Sequence, residues 1–111
     1  MEVLYNKLIR DRIPEITESD GWISETKVLN SKDFLLELKK KILEEAKELN
    51  EGKAKENLIE ELADIQEIID TILSEKKIKI SEFKKAQAEK RKKRGGFKKR
   101  LFLIKTVKEE K

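Results

Sequence analysis

Two long segments of the chain repeat apolar residues at heptad spacing, and this repeat constrains the fold more than any other feature. Each segment has one complete apolar row, made of Leu35, Ile42 and Leu49 in the first and of Leu58, Ile65 and Ile72 in the second. Such spacing is typical of amphipathic helices that bury one narrow stripe. We therefore expect one helix from about residue 31 to about residue 50 and a second from about 55 to about 74.

The complete apolar row is one of two heptad rows in each helix that face inward, toward the expected core. A carboxylate interrupts the second inward row of each helix. In the first helix this row has Leu38 and then Glu45, and in the second it has Glu61 and then Ile68. A further carboxylate follows each interruption three residues later, namely Glu48 and Asp64. Burying carboxylates together costs on the order of several kcal/mol each unless a cation compensates them.

The inward rows contain neither Lys nor Arg, so we expect a metal ion to supply the compensating charge. Mg²⁺ and its possible substitute Mn²⁺ prefer oxygen ligands, whereas a conventional zinc site needs His or Cys, and the chain has neither. The alternative is a pair of solvated surface carboxylates, which arises by chance in a chain with 45% charged residues. Glu67 and Asp70 show that alternative, because they repeat the spacing but face outward in the heptad.

Charge is divided unevenly along the 111 residues. Residues 1–75 hold 11 basic and 19 acidic residues, a net charge of −8, while residues 76–111 hold 16 basic and 4 acidic residues, a net charge of +12. The formal total of +4 averages these blocks. An acidic helical region and a basic tail of this kind suit cation binding and anion binding respectively.

The remaining segments predict shorter elements. Pro14 suits the first turn of a short helix that ends at Ser19-Asp20-Gly21, and Ser81 is a candidate cap for a basic helix that stops at Gly95-Gly96. Residues 22–30 and 100–107 resemble short strands. Together these features predict a single domain over residues 1–111, mainly α. It would be a helical bundle completed by oligomerisation, with a small two-stranded β element.

The length and composition also limit where the chain works. It has no Cys, and no apolar run approaches the roughly 20 residues that cross a bilayer. Because Met1-Glu2-Val3-Leu4 are not a basic region followed by an apolar stretch, we expect no secretory signal here. We therefore expect a cytoplasmic protein with no membrane partner. We also expect a homo-oligomer (a dimer or higher), because narrow apolar stripes in a short chain often need a partner chain to shield them from water.

The order of motifs resembles a known family. Glu44-Glu45-Ala46-Lys47-Glu48 and, after twelve residues, Glu61-Leu62-Ala63-Asp64 resemble the acidic motif of the MazG-like all-α nucleoside triphosphate pyrophosphohydrolases, which include phosphoribosyl-ATP pyrophosphohydrolase. The opening residues 6–16 and the closing Arg94-Gly95-Gly96-Phe97 resemble one small single-domain branch. The resemblance spans nearly the whole chain.

This resemblance implies Mg²⁺-dependent cleavage of a nucleotide between its α and β phosphates, giving a monophosphate and pyrophosphate. The substrate would be a nucleoside triphosphate in house-cleaning or nucleotide processing, or phosphoribosyl-ATP. By resemblance the metal ligands are Glu45, Glu48, Glu61 and Asp64, while Glu44 beside them would orient or deprotonate the attacking water. The candidate phosphate-binding residues are Lys7, Arg10, Arg12, Arg94, Gly95, Gly96 and Arg100.

Two other functions fit parts of the same sequence. The +12 segment would suit a nucleic-acid-binding or regulatory helical module without catalysis, although nucleic acid is not the partner expected from the leading interpretation. A helical adaptor with no site is the third alternative, in which the carboxylates are only surface charge.

Overall fold

The computed structural model describes the backbone of residues 1–52 and 55–109, and the side chains of those residues except 55 and 56. Within this part of the chain there are four helices, α1 (Ile13–Ser19), α2 (Ser31–Glu51), α3 (Lys55–Glu75) and α4 (Ile80–Arg94). The mainly α class is therefore confirmed. The chain divides into two compact units, Met1–Ile78 and Lys79–Lys111. The single domain predicted over residues 1–111 stays a prediction.

The first long helix begins and ends where its sequence indicates. Asn30 is the N-cap of α2, with extended backbone angles, and its side-chain oxygen accepts a hydrogen bond from the Asp33 N–H at 2.8 Å. At the other end the Gly52 N–H donates to the carbonyl oxygen of Glu48. These bonds satisfy backbone groups that a helix end leaves unpaired, so they fix the register of α2.

Helices α2 and α3 pack on each other and bury a small apolar core. Leu38 of α2 and Ile68 and Leu73 of α3 are its buried apolar side chains among the described residues. Leu38 and Ile68 stand in the two interrupted inward rows, so the heptad assignment is confirmed there. Leu58, predicted in an inward row, is instead 47% exposed. Among the described residues, no helix combines the length and apolar composition needed to cross a bilayer.

The segment that follows α1 folds back against that helix. Pro14 lies in the first turn of α1, as predicted, and the helix ends at Ser19. The Trp22 N–H donates to the Thr17 carbonyl oxygen at 3.0 Å, and the Thr17 hydroxyl hydrogen-bonds the Ser24 hydroxyl. The strand predicted at residues 22–30 is wrong, because the start of this segment bonds to α1 and the whole of it is without strand structure.

The second unit contains α4 and the chain that follows it. Helix α4 begins at Ile80 with Lys79 as its N-cap and no capping side chain, so Ser81 lies inside the helix and not at its cap. Gly95 ends α4 with φ of 81°, a left-handed conformation that favours glycine, and its N–H donates to the Arg91 carbonyl oxygen at 2.8 Å. The predicted stop at Gly95-Gly96 is confirmed.

The second predicted strand, residues 100–107, is also without strand structure. Arg100 instead closes a turn, with φ of 59° and its N–H bonded to the Phe97 carbonyl oxygen at 3.0 Å. A two-stranded ribbon is marginally stable in water unless it packs on other elements. The small β element is therefore not found in the described part of the chain.

Candidate metal and phosphate site

Three carboxylates meet between α2 and α3, and we call them the carboxylate cluster: Glu45, Glu61 and Asp64. Each offers a carboxylate oxygen, and these oxygens lie within 4.8 Å of one another. Glu61 and Asp64 stand three residues apart on α3, which places them on one helix face, and Glu45 projects from the facing inward row of α2. The heptad register thus brings together three of the four residues predicted as metal ligands.

Two oxygens of the cluster are buried without a hydrogen-bond partner among the described residues. They are Oε2 of Glu45 and Oε2 of Glu61. Glu45 is only 6% exposed, so most of its carboxylate is removed from water. Unpaired buried carboxylate oxygens are costly, and they mark this place as one suited to a positive ligand.

Burial raises the pKa of Glu45 from 4.5 to about 7, and neighbouring acidic groups add to the shift. The nearby Glu48 acts next most strongly on Glu45, followed by the negative charge of Asp64. Burial is also the main reason why the pKa of Glu61 is raised, and the negative charges of Glu48 and Asp64 act in the same direction. The acidic groups therefore oppose one another's ionisation, and a divalent cation would relieve that repulsion.

A lysine that the sequence analysis missed supplies part of the compensating charge. The Lys41 Nζ lies 3.4 Å from Oε1 of Glu44 and 3.8 Å from Oε1 of Glu45, and its side chain is 18% exposed. The inward rows themselves contain neither Lys nor Arg, but Lys41 beside them reaches two of the same acidic residues. The available signal was the spacing, because Lys41 precedes Glu44 by three residues and Glu45 by four, and side chains so spaced meet on a helix.

The N-terminal segment brings two more cations to the same region. Arg10 Nη2 lies 2.7 Å from Oδ1 of Asp64, and Lys7 Nζ lies 3.6 Å from Oε1 of Glu44. Both residues were singled out as phosphate-binding candidates, and the structure places both beside the acidic residues. Such an arrangement suits an anion that is bound through a metal. The carboxylates can hold the metal, and the neighbouring basic groups can bind oxygens of the anion.

Two candidates lie away from this arrangement. Glu48, predicted as a ligand, is exposed and is not among the three carboxylates whose oxygens converge, although it is close enough to Glu45 to raise its pKa. Arg12 pairs with Glu15 of α1, with Nε and Oε2 2.9 Å apart, and both side chains are largely exposed. Glu67 and Asp70 are exposed, as the heptad predicted.

The four remaining phosphate candidates lie in the second unit. Arg94, Gly95, Gly96 and Arg100 all line one open groove at the end of α4, together with Phe97 and further basic side chains. A Cβ added at Gly95 or Gly96 would meet no atom within 4 Å, so the backbone here is open to a ligand. The structure thus brings these four residues together with one another.

The donor set of the cluster fits a hard divalent cation. Carboxylate oxygens are the ligands that Mg²⁺ and Mn²⁺ prefer, and three of them converge here. Two buried oxygens of the cluster have no hydrogen-bond partner within the part of the chain that the structure describes. No family model, curated protein or solved structure matches the chain.

Proposed function

We propose that the protein is a Mg²⁺-dependent nucleotide pyrophosphohydrolase that cleaves between the α and β phosphates and releases a nucleoside monophosphate and pyrophosphate. The observation that carries the proposal is the carboxylate cluster, in which Oε2 of Glu45 and Oε2 of Glu61 are buried without a partner among the described residues. The motifs of the chain support the same activity by their resemblance to MazG-like enzymes. The substrate class would be nucleoside triphosphates or phosphoribosyl-ATP.

In this proposal the cluster residues Glu45, Glu61 and Asp64 would hold Mg²⁺, with Mn²⁺ as a possible substitute, and Glu48 would complete the set from its exposed position. When bound, the metal would neutralise charge on the phosphate oxygens and on the attacking water. The chain itself contributes the position of the carboxylates, which the packing of α2 on α3 determines.

Basic residues would bind the substrate phosphates. Lys7 and Arg10 already lie at the acidic residues, so a nucleotide phosphate beside the cluster would meet both. Arginine suits this task because its planar guanidinium binds two phosphate oxygens at once. Arg12 and the groove residues Arg94, Gly95, Gly96 and Arg100 remain candidates for the same role by resemblance.

Glu44 would orient the attacking water or remove its proton. Its carboxylate is 35% exposed and lies on α2 next to Glu45. Lys7 and Lys41 both contact it, at 3.6 Å and 3.4 Å. These two contacts hold the Glu44 carboxylate in a defined direction, which a water-orienting group needs.

The test is a panel of standard and modified nucleoside triphosphates plus phosphoribosyl-ATP, incubated with the purified protein and Mg²⁺. We expect at least one member to give the monophosphate and pyrophosphate in equal amounts, and none to react when Mg²⁺ is chelated. Release of a nucleoside diphosphate and inorganic phosphate would instead show cleavage between the β and γ phosphates. Complete inertness of the panel would refute the proposed activity.

We further propose that the protein works as a homo-oligomer, a dimer or higher. Helices α2 and α3 expose Leu36, Leu43, Ile59 and Leu62, and Leu43 is 72% exposed. A second copy of the chain would cover this apolar surface and enlarge a core that is small among the described residues. Sedimentation velocity should give at least twice the monomer mass of 13.1 kDa, and a monomer at all concentrations would contradict the proposal.

One observation favours a second candidate function, the binding of single-stranded nucleic acid by the second unit. All basic side chains of α4 are exposed, and the groove beside it combines basic residues with Phe97, which is 97% exposed. Basic grooves with an accessible aromatic ring bind single strands by charge and stacking. Fluorescence anisotropy with a labelled oligonucleotide should show affinity that falls with salt and weakens in Phe97→Ala. No binding at low salt would eliminate this function.

A further inference from the structure

The N-terminal segment 7–10, which we call the arm, contacts both helices that carry the acidic residues. Lys7 reaches Glu44 on α2, and Arg10 reaches Asp64 on α3. The two contacts differ in strength, because the first spans 3.6 Å and the second is a hydrogen-bonded ion pair at 2.7 Å. The arm is therefore attached to the site mainly through Arg10.

Asp64 belongs to two arrangements at once. Its Oδ1 accepts the hydrogen bond from Arg10, and its carboxylate is also one of the three that converge in the cluster. A divalent cation and a guanidinium attract the same oxygens and repel each other. Arg10 consequently competes with any cation that the carboxylate cluster binds.

The Arg10 pair is one that a cation can displace. Its side chains are 58% exposed for Arg10 and 37% exposed for Asp64, so water screens the attraction between them. Exposed pairs of this kind contribute little to stability. Glu45 is buried by contrast, and its Oε2 has no hydrogen-bond partner among the described residues, so a cation that binds there would gain a strong attraction.

We propose that Arg10 exchanges partners: it holds Asp64 until the carboxylate cluster binds a divalent cation, and it then binds a substrate phosphate, so that metal binding and phosphate binding are coupled. This inference rests on the proposed function and assigns Arg10 the coupling between its two ligands. The guanidinium suits both partners, because carboxylate and phosphate present two oxygens with similar geometry.

The coupling has a definite sign. Displacing Arg10 from Asp64 opposes cation binding, and a phosphate that accepts the released guanidinium removes that cost. The cation and the phosphate therefore bind more tightly together than either does alone, and by linkage each favours the other equally. A structural ion pair with no role in the site would produce no such reciprocity.

The first test measures Mn²⁺ binding by electron paramagnetic resonance in the absence of nucleotide. Arg10→Gln removes the competing group and should tighten Mn²⁺ binding about two- to five-fold, the range expected for losing an exposed ion pair. Lys40→Gln is the control, since it removes one positive charge from α2 but its side chain pairs with Glu37. Its Mn²⁺ affinity should equal that of the wild type.

The second test measures binding of inorganic tripolyphosphate by calorimetry at saturating Mg²⁺. Here Arg10→Gln should weaken binding about ten-fold or more, as expected when a charge-assisted hydrogen bond is lost, and Lys40→Gln should not. The opposite directions of the two effects identify the exchange. The exchange would be overturned if Arg10→Gln and Lys40→Gln bound Mn²⁺ with the same affinity. It would also be overturned if Arg10→Gln bound tripolyphosphate as tightly as the wild type.

These measurements separate the inference from the function on which it rests. If the wild type binds no Mn²⁺, the proposed metal site and the exchange fall together. If the wild type binds Mn²⁺ and Arg10→Gln leaves either of the two affinities unchanged, the exchange alone is refuted and the proposed function stands.

Discussion

Replacing the most buried carboxylate by its neutral isostere should stabilise the metal-free protein. Glu45 is 6% exposed and its pKa is raised from 4.5 to about 7, first by burial and then by Glu48, Asp64 and Glu61. The unfolded chain would release this proton near 4.5 and the folded chain only near 7. Between those pH values the folded state holds the extra proton, so stability falls as the pH rises through the window.

The size of the effect follows from the shift. A difference of about 2.5 pKa units at about 1.4 kcal/mol per unit corresponds to roughly 3–4 kcal/mol of destabilisation above pH 7. Glu45→Gln cannot ionise and avoids this cost, although it also loses the 3.8 Å contact with Lys41, which reduces the gain. We expect the variant to be more stable than wild type by up to about 3 kcal/mol at pH 8 and little changed near pH 4.5.

Urea unfolding followed by far-ultraviolet circular dichroism in the presence of a chelator measures this difference. The expected gain corresponds to an increase of about 1–3 M in the urea midpoint at pH 8. Glu67→Gln is the matched control, because Glu67 lies exposed on the outer face of α3, and its midpoint should not move. A Glu45→Gln variant that is less stable than wild type at pH 8, or equally pH-dependent, would refute the reasoning.

Three further predictions follow from other contacts of the first unit. Glu48→Gln should lower the rate of pyrophosphate release at least about ten-fold with an unchanged circular dichroism spectrum, while Glu67→Gln should keep wild-type turnover. Equal rates for the two variants would show that Glu48 takes no part in the site. Lys41→Gln should lower the free energy of unfolding by roughly 1–3 kcal/mol, since it removes the half-buried cation beside Glu44 and Glu45, of which only Glu44 keeps a second basic contact among the described residues, with Lys7. Lys40→Gln at an exposed pair should change the urea midpoint little. Asn30→Ala removes the N-cap of α2 and should cost about 1 kcal/mol in the same assay, and an unchanged midpoint would show that the cap adds nothing.

Much of the packed pair of helices α2 and α3 could be predicted from the sequence, because local rules determine which residues each helix places on its buried face. The heptad positions of Leu38 and Ile68 indicated the buried face, and the outward register of Glu67 and Asp70 indicated their exposure. The convergence of Glu45, Glu61 and Asp64 followed from the same register. Helical periodicity places side chains on a face regardless of what lies beyond it.

The failed predictions involve contacts that periodicity does not describe. Residues 22–30 alternate like a strand, yet Trp22 bonds back to Thr17, and strand propensity is weak without a neighbouring strand. Lys41 is the exception, because its spacing to Glu44 and Glu45 is helical; it was overlooked because it lies beside the inward rows and not in them. The Arg10 pair with Asp64 joins residues 54 positions apart, which no local pattern specifies.

The central claim is that a divalent cation binds among Glu45, Glu61 and Asp64, and an anomalous diffraction map from crystals grown with Mn²⁺ tests it most directly. We expect an anomalous peak about 2 Å from an oxygen of each of these three carboxylates, the distance typical of small hard cations. We also expect the peak to be absent in Glu45→Gln. A fully occupied Mn²⁺ peak elsewhere on the chain, with no density in the carboxylate cluster, would contradict the central claim.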